Sequence, residues 1–262
     1  MNKITIDNKD INIDIDDSLL ISFDDESKFL DVTSVKIKVL KDTTLIIDSC
    51  DSDIKLDFCF NILDAVSLEL FEIKNRGEYK YQFKYYLEKN SKLCVQKLHD
   101  VSKIKEMNMV NLNGENAEIN FILKTVCKDK EKYNFMVYHN AKKTISNIVN
   151  NGVNILDGEL EFNVSSFIPK GIKKCETSQK NRIVNLVKKK CTIKPNLFID
   201  EEDVCANHSA YIGNFSYDEL FYLMSRGICK NDAINLLIKG FLMKDVFYDN
   251  DFISHMIDRY WG

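Results

Sequence analysis

A chain of 262 residues with 45% hydrophobic and 29% charged side chains holds enough apolar material for one large domain, elongated or with a small appendage, without disulfide or metal staples. Only 2 Pro and 9 Gly exclude a long flexible linker, a collagen-like tract and a Gly-rich phosphate loop. A formal net charge of -4 supplies no broad basic face, so neither nucleic acid nor an anionic membrane is expected as a partner.

The first residues, Met1 to Asp7, turn acidic where a secretory signal would need an apolar stretch, and no long uncharged apolar run follows anywhere. A soluble, cytoplasmic protein is expected. From Ile4 to about Gly213 the dominant pattern has period two. Ile11–Ile15, Val35–Val39, Ile54–Phe58, Glu78–Phe83 and Ala117–Phe121 all alternate apolar with polar residues. Short strands at such close intervals suit either a sandwich or a solenoid of stacked coils, and without a crisp internal repeat the periodicity leaves both open. The acidic clusters Asp16-Asp17 and Asp24-Asp25-Glu26 fall at expected turns, with no carboxylate pair at a defined separation such as a polysaccharide-cleaving β-helix would need. No GxxxxGK[ST] loop is present, so ATP hydrolysis would have to come from a partner.

The 8 cysteines (Cys50, Cys59, Cys94, Cys127, Cys175, Cys191, Cys205, Cys229) form no CxxC and no zinc spacing. Most are expected to be buried, packing as small hydrophobes in a reducing compartment. Lys188-Lys189-Lys190 is the densest basic run along the chain and is read as a solvated turn, since no aromatic residue is interleaved to stack on bases.

The pattern changes after Gly213. Ser216 followed by Glu219 is a capping box and starts a helix carrying Tyr217, Leu220, Phe221 and Met224 on one face. Gly227 stands where a helix terminator belongs, closing a Ser225-Arg226-Gly227 turn. A second helix is expected from about Asn231, with Ile234, Leu237, Ile238 and Phe241 as its apolar stripe and Phe247 or Tyr248 extending it. The hairpin can either cap the β region or dock another protein, and pattern alone leaves both open.

The run Tyr217 to Ile228, followed by Ala233, Leu237, Gly240 and Phe241, resembles the carboxy-terminal signature of the SufB/SufD family of iron–sulfur cluster assembly proteins. Upstream, Lys194-Pro195-Asn196-Leu197-Phe198-Ile199, Asp203-Val204, His208, Ala210 and Gly213 resemble the family's KPxLxI…DV…HxAxxG stretch. His139, Ala141, Thr144 and Ser146 resemble its HxAxxTxS element, and Leu112, Gly114 and Ala117 its LxGxxA element. The resemblance runs from about residue 110 to 245. It implies a mainly β protein: a right-handed parallel β-helix over residues 1–213, with strands of uncertain placement in 1–34, and a small helical domain over 214–262. It further implies a non-enzymatic scaffold that pairs through its last strands with itself or a SufB/SufD-like paralogue. Its helices would bind a SufC-like ABC ATPase through Tyr217, Leu220, Phe221, Met224, Arg226, Gly227, Leu237 and Phe241.

Two departures separate the chain from the SufB-type pattern and bring it nearer to SufD. Lys180 follows Gln179 where a scaffold cysteine would stand, and an ammonium cannot ligate iron as a thiolate can. Ser209 follows His208 where SufB-type members carry Glu. For a transient iron–sulfur cluster His208 is the first candidate ligand and Cys205 the second, with Cys175 and Cys191 weaker. An odd separation on a regular strand sends Cys205 and His208 to opposite faces, so they could converge only across a bulge or between subunits. His139 is read as structural, and His99 and His255 have no partner that the sequence names.

Overall fold

The computed structural model describes residues 2–6, 10–23, 33–50, 55–75, 77–187 and 189–244. Among them are 17 strands and two helices. One sheet holds nine strands, in the order β1 (Asn2–Ile6), β3 (Leu19–Phe23), β5 (Thr43–Cys50), β7 (Ser67–Asn75), β9 (Lys92–Asp100), β11 (Glu118–Cys127), β13 (Ile145–Asn154), β15 (Cys175–Asn185), β17 (Val204–Gly213). The facing sheet holds eight: β2 (Asp10–Ile15), β4 (Thr33–Val39), β6 (Lys55–Ile62), β8 (Glu78–Leu87), β10 (Lys103–Leu112), β12 (Lys130–His139), β14 (Glu159–Ile168) and β16 (Thr192–Ile199). Consecutive strands alternate between the sheets and neighbouring strands pair in parallel, as in β6 with β8 and β11 with β13. The chain is therefore a β-solenoid and not a sandwich, and β1 to β3 are its first coils.

Alternation decides which side chains go inside. On β4, Val35, Ile37 and Val39 are fully buried while Lys36 and Lys38 face out. Parallel register then stacks like on like across coils. Phe58 lies on Phe83 with ring centroids 5.0 Å apart, and Phe60 on Tyr85 at 5.2 Å. Five successive coils, from β6–β7 to β14–β15, also turn the same corner with one residue in the left-handed region: Ala65, Asn90, Asn116, Lys143 and Lys174 all have φ of 57° to 61°. Non-glycine residues there are uncommon, but each corner is tied to the next, for example by Asn116 Nδ2 donating to Asn90 Oδ1 at 2.8 Å. Inside this corner a Cβ on Gly114 would lie 2.0 Å from the Lys89 backbone nitrogen, so only glycine fits.

The last coil is open. β16 and β17 are the sheet edges, and neither carries a buried residue. After it come α1 (Tyr217–Ser225) and α2 (Lys230–Met243). The capping box is present: Glu219 N donates to Ser216 Oγ and Ser216 N to the Glu219 carboxylate, both at 3.1 Å. Gly227, at φ 86°, ends the first helix. α2 lies on the outer face of the nine-stranded sheet, where Ile238 and Leu242 pack with Val126, Val153 and Val184. No described helix is long and apolar enough to cross a membrane.

The cysteine expectation needs correction. Of the seven whose surroundings are described, only Cys127 and Cys175 are buried; Cys59, Cys94 and Cys191 are half-buried, and Cys205 and Cys229 exposed. The reason is phase: Cys59, Cys94 and Cys205 fall on outward positions of their strands, and outward positions are wet unless a helix covers them. In the basic run, Lys189 pairs with Asp157 at 3.1 Å and Lys190 is exposed, while Lys188 lies outside the described residues. Phe247, Tyr248 and His255 lie outside them too.

Candidate functional site

β17 pairs with β15 without interruption from Val204 opposite Cys175 to Gly213 opposite Val184. There is no bulge, so Cys205 and His208 do point to opposite faces. His208 is opposite Gln179 and shares its inward phase; Cys205 is opposite Glu176 and looks outward. Both are exposed, because β17 is the edge. Lys180, opposite Ser209, is exposed on the outer face. A single chain thus offers an iron one of these two ligands, not both.

Beneath His208 a file of hydrogen-bonded polar side chains descends into the solenoid. Gln179 Nε2 donates to Ser166 Oγ at 2.9 Å and to the Asn196 carbonyl at 3.1 Å, while Gln179 Oε1 is buried without a partner among the described residues. Thr177 Oγ1 donates to Ser166 Oγ, and Ser146 Oγ to Thr177 Oγ1, both at 2.9 Å. Ser146 Oγ is 3.0 Å from His139 Nε2, and Thr144 Oγ1 is 2.7 Å from His139 Nδ1. Burial alone lowers the His139 pKa to about 4, so the ring is neutral at neutral pH and serves as a structural hydrogen-bonding post. Cys175 closes the same layer, its thiol 3.3 Å from Thr144 Oγ1. Cys191, half-buried, packs against the main core.

Deeper in the molecule lies a cluster that the sequence reading missed. Glu72, Lys74, Lys97, His99 and Glu106 have no exposed surface and face one another inside the solenoid. Lys97 bridges Glu72 at 2.6 Å and Glu106 at 2.9 Å; Lys74 bridges Glu106 at 3.2 Å and also contacts Glu72. Burial works against the Glu72 carboxylate, but Lys74 and Lys97 outweigh it and hold the group well below its usual range. His99, left without a partner in the sequence, sits 2.9 Å by Nδ1 from the Tyr133 hydroxyl. Burial and then Lys74 lower its pKa, so it is the neutral member. Ligand atoms of Glu72, His99 and Glu106 lie within 4.8 Å of one another, close enough for a cation. Two ammonium groups already neutralise both carboxylates, however, and the arrangement is a balanced ion network. The signal was present in the sequence: Leu68, Leu70, Glu72, Lys74 and Leu93, Val95, Lys97, His99 each keep one inward phase while changing from apolar to charged.

The helices place the remaining candidates unequally. No residue of α1 is buried; Tyr217 is 77% exposed, Phe221 58% and Met224 43%, with Leu220 half-buried and Arg226 and Gly227 exposed at the turn. Leu237 and Phe241 on α2 are half-buried. Phe241 joins the cap cluster and meets the Arg182 guanidinium 5.0 Å from its ring centroid, while Arg182 also lies over Tyr211 of β17 at 5.4 Å.

Comparison with known proteins agrees with this architecture. The family profile described as SUF system FeS cluster assembly, SufBD core domain, matches residues 62–241, which carries the likeness well upstream of residue 110. The iron–sulfur cluster assembly protein SufD of Bacillus subtilis is 34% identical over 148 residues, covering 55% of this chain and 34% of that protein. An iron–sulfur cluster assembly SufBD family protein of Mycobacterium leprae is 32% identical over 106 residues, 40% of this chain and 12% of the relative. One of Pyrococcus horikoshii is 43% identical over 51 residues, 18% of this chain and 11% of the relative. The aligned regions thus span about a third or less of the length of these relatives. A parallel solenoid closed by a capped helical hairpin, with a profile match across most of both, means that this chain belongs to the SufB/SufD family.

Proposed function

We propose that the chain is a SufB/SufD-like component of a cytoplasmic iron–sulfur cluster assembly complex. In this reading it pairs through the open last coil of its solenoid, with itself or a SufB/SufD-like paralogue, and docks a SufC-like ABC ATPase on its C-terminal helices. It performs no chemistry on ATP; a partner that binds two arrangements of the pair unequally would shift the pair between them. The iron–sulfur cluster is cargo.

The observation that carries this reading is the division of labour between the helices. α2 is spent on capping, with Ala233, Ile238 and Leu242 buried, whereas α1 holds Tyr217, Phe221 and Met224 in solvent on a helix whose start is fully capped. A stiff helix with an uncovered aromatic face suits helix-in-groove recognition. The open coil of β16 and β17 is the matching surface for pairing. Co-purification with a SufC-like ATPase tests the docking: Phe221→Asp should abolish recovery of the ATPase while leaving the fold intact, and undiminished recovery would refute the α1 face.

A second reading keeps both contacts but removes the cluster, making the chain a purely structural subunit. Lys180 in place of a thiol and the opposed faces of Cys205 and His208 favour it. If a cluster is held, its ligands come from His208 together with groups of the pairing partner. Anaerobic reconstitution with iron and sulfide separates the readings, since a structural subunit develops no visible-region absorbance.

A further inference from the structure

The outer face of the eight-stranded sheet carries a feature that the assembly reading does not use. A groove of about 760 Å³ crosses the beginnings of β6, β8, β10, β12, β14 and β16. Parallel register sets Lys55 beside Lys80, Lys80 beside Lys105 and Lys105 beside Lys132. With strands ~4.8 Å apart, four lysines stand in a file along the solenoid axis. Like charges directly opposite one another destabilise a sheet, and here three such contacts follow in succession.

Acidic neighbours leave much of this charge uncancelled. Glu78 holds Lys103 at 2.7 Å, and Glu161 holds Lys132 at 3.1 Å and Lys194 at 3.3 Å. Lys55, Lys80 and Lys105 are exposed and make no ion pair among the described residues. An overall charge of -4 therefore conceals a local cationic file.

Glu131, next to Lys132 on β12, has the opposite phase: its carboxyl points into the solenoid and is 1% exposed. Its Oε2 accepts from Thr125 Oγ1 at 2.5 Å and from the Tyr133 hydroxyl at 3.1 Å. Burial raises its pKa to about 8, so at neutral pH it is a neutral acid and does not offset the lysine file either.

We propose that this groove binds a linear oligophosphate, a short chain of phosphoryl groups laid along the lysine file. Lysine binds phosphate as a point charge, and the volume is that of a small-ligand site. An acidic peptide fits less well. The strands that carry the lysine file, β6, β8, β10 and β12, are interior strands with paired backbones, so they offer no edge to a peptide main chain. Side chains on one face of an extended peptide also recur every ~6.6 Å, out of step with the file. Single-stranded nucleic acid lacks a stacking platform, because Tyr79, the aromatic residue lining the groove, is only 4% exposed.

Calorimetric titration of the full chain with tripolyphosphate, orthophosphate, hexaglutamate and a single-stranded oligodeoxynucleotide tests this. Tripolyphosphate should bind at one site, roughly tenfold or more tighter than orthophosphate, and weaken as salt is raised. Lys80→Glu should lower that affinity roughly tenfold while the melting temperature stays level or rises, since the new carboxylate stands between two lysines. The proposal is overturned by absence of binding, by unchanged affinity in the variant, by orthophosphate binding as tightly, or by peptide or oligonucleotide outcompeting tripolyphosphate.

Discussion

Single residues here are governed by phase and by what burial does to charge. Glu131 is the clearest case, a buried acid whose folded pKa, about 8, is raised above the ordinary 4.5. Its contribution to stability is intact below pH 4.5 and is lost as pH rises through 8, at about 1.4 kcal/mol per pH unit. Glu131→Gln should therefore match the wild type at pH 4.5 and exceed it increasingly up to pH 8, by on the order of 4 kcal/mol, in denaturant titrations at a series of pH values. A constant difference across that range would mean that the carboxyl is ionised in the fold. Gly114 belongs to the backbone: a methyl group there meets the Lys89 main chain, so Gly114→Ala should cost about 2–3 kcal/mol, measured as a lowered denaturant midpoint.

At the scale of elements, the two helices of the hairpin respond differently to the same change. Phe221 is 58% exposed on a helix with no buried residue, so Phe221→Asp should shift stability by less than about 0.5 kcal/mol while removing the proposed ATPase contact. Phe241 packs with the cap cluster and under Arg182, so Phe241→Asp should cost about 2 kcal/mol or more and loosen α2 from the sheet. Thermal melts of the two variants beside ATPase co-purification distinguish docking from capping. Equal destabilisation by both would show that α1 is packed in solution.

For the whole molecule, the open last coil is the decisive feature. Solenoids need a terminal cap, and here the inward-phase positions of β17, including His208 and Ile212, have no following coil among the described residues. In the proposed pair Ile212, 43% exposed, should be covered, and Ile212→Asp should leave a folded monomer by light scattering. If the pair holds a cluster, His208→Ala should reduce the visible absorbance of the anaerobically reconstituted protein. Cys205→Ser, which alters an outward-facing residue, should do so only if the partner brings that thiol to the seam.

Strands, helices and the hairpin's caps were readable along the chain, because they depend on local periodicity and capping chemistry: Val35, Ile37 and Val39 declare a buried face, and Ser216 with Glu219 declares a helix start. The solenoid itself was not readable from periodicity, because successive coils are not of equal length. Hydrogen-bonded neighbours are 25 residues apart at Thr44 and Glu69 but 31 apart at Asn150 and Asn181, which blurs any internal repeat. The family resemblance supplied what spacing could not. Register alone decided the rest: which lysines form a file, which charges meet in the interior, and that His208 faces inward while Cys205 faces out. Those facts join residues from different coils, and a pairing between strands that are not adjacent in sequence exists only once the chain has wound.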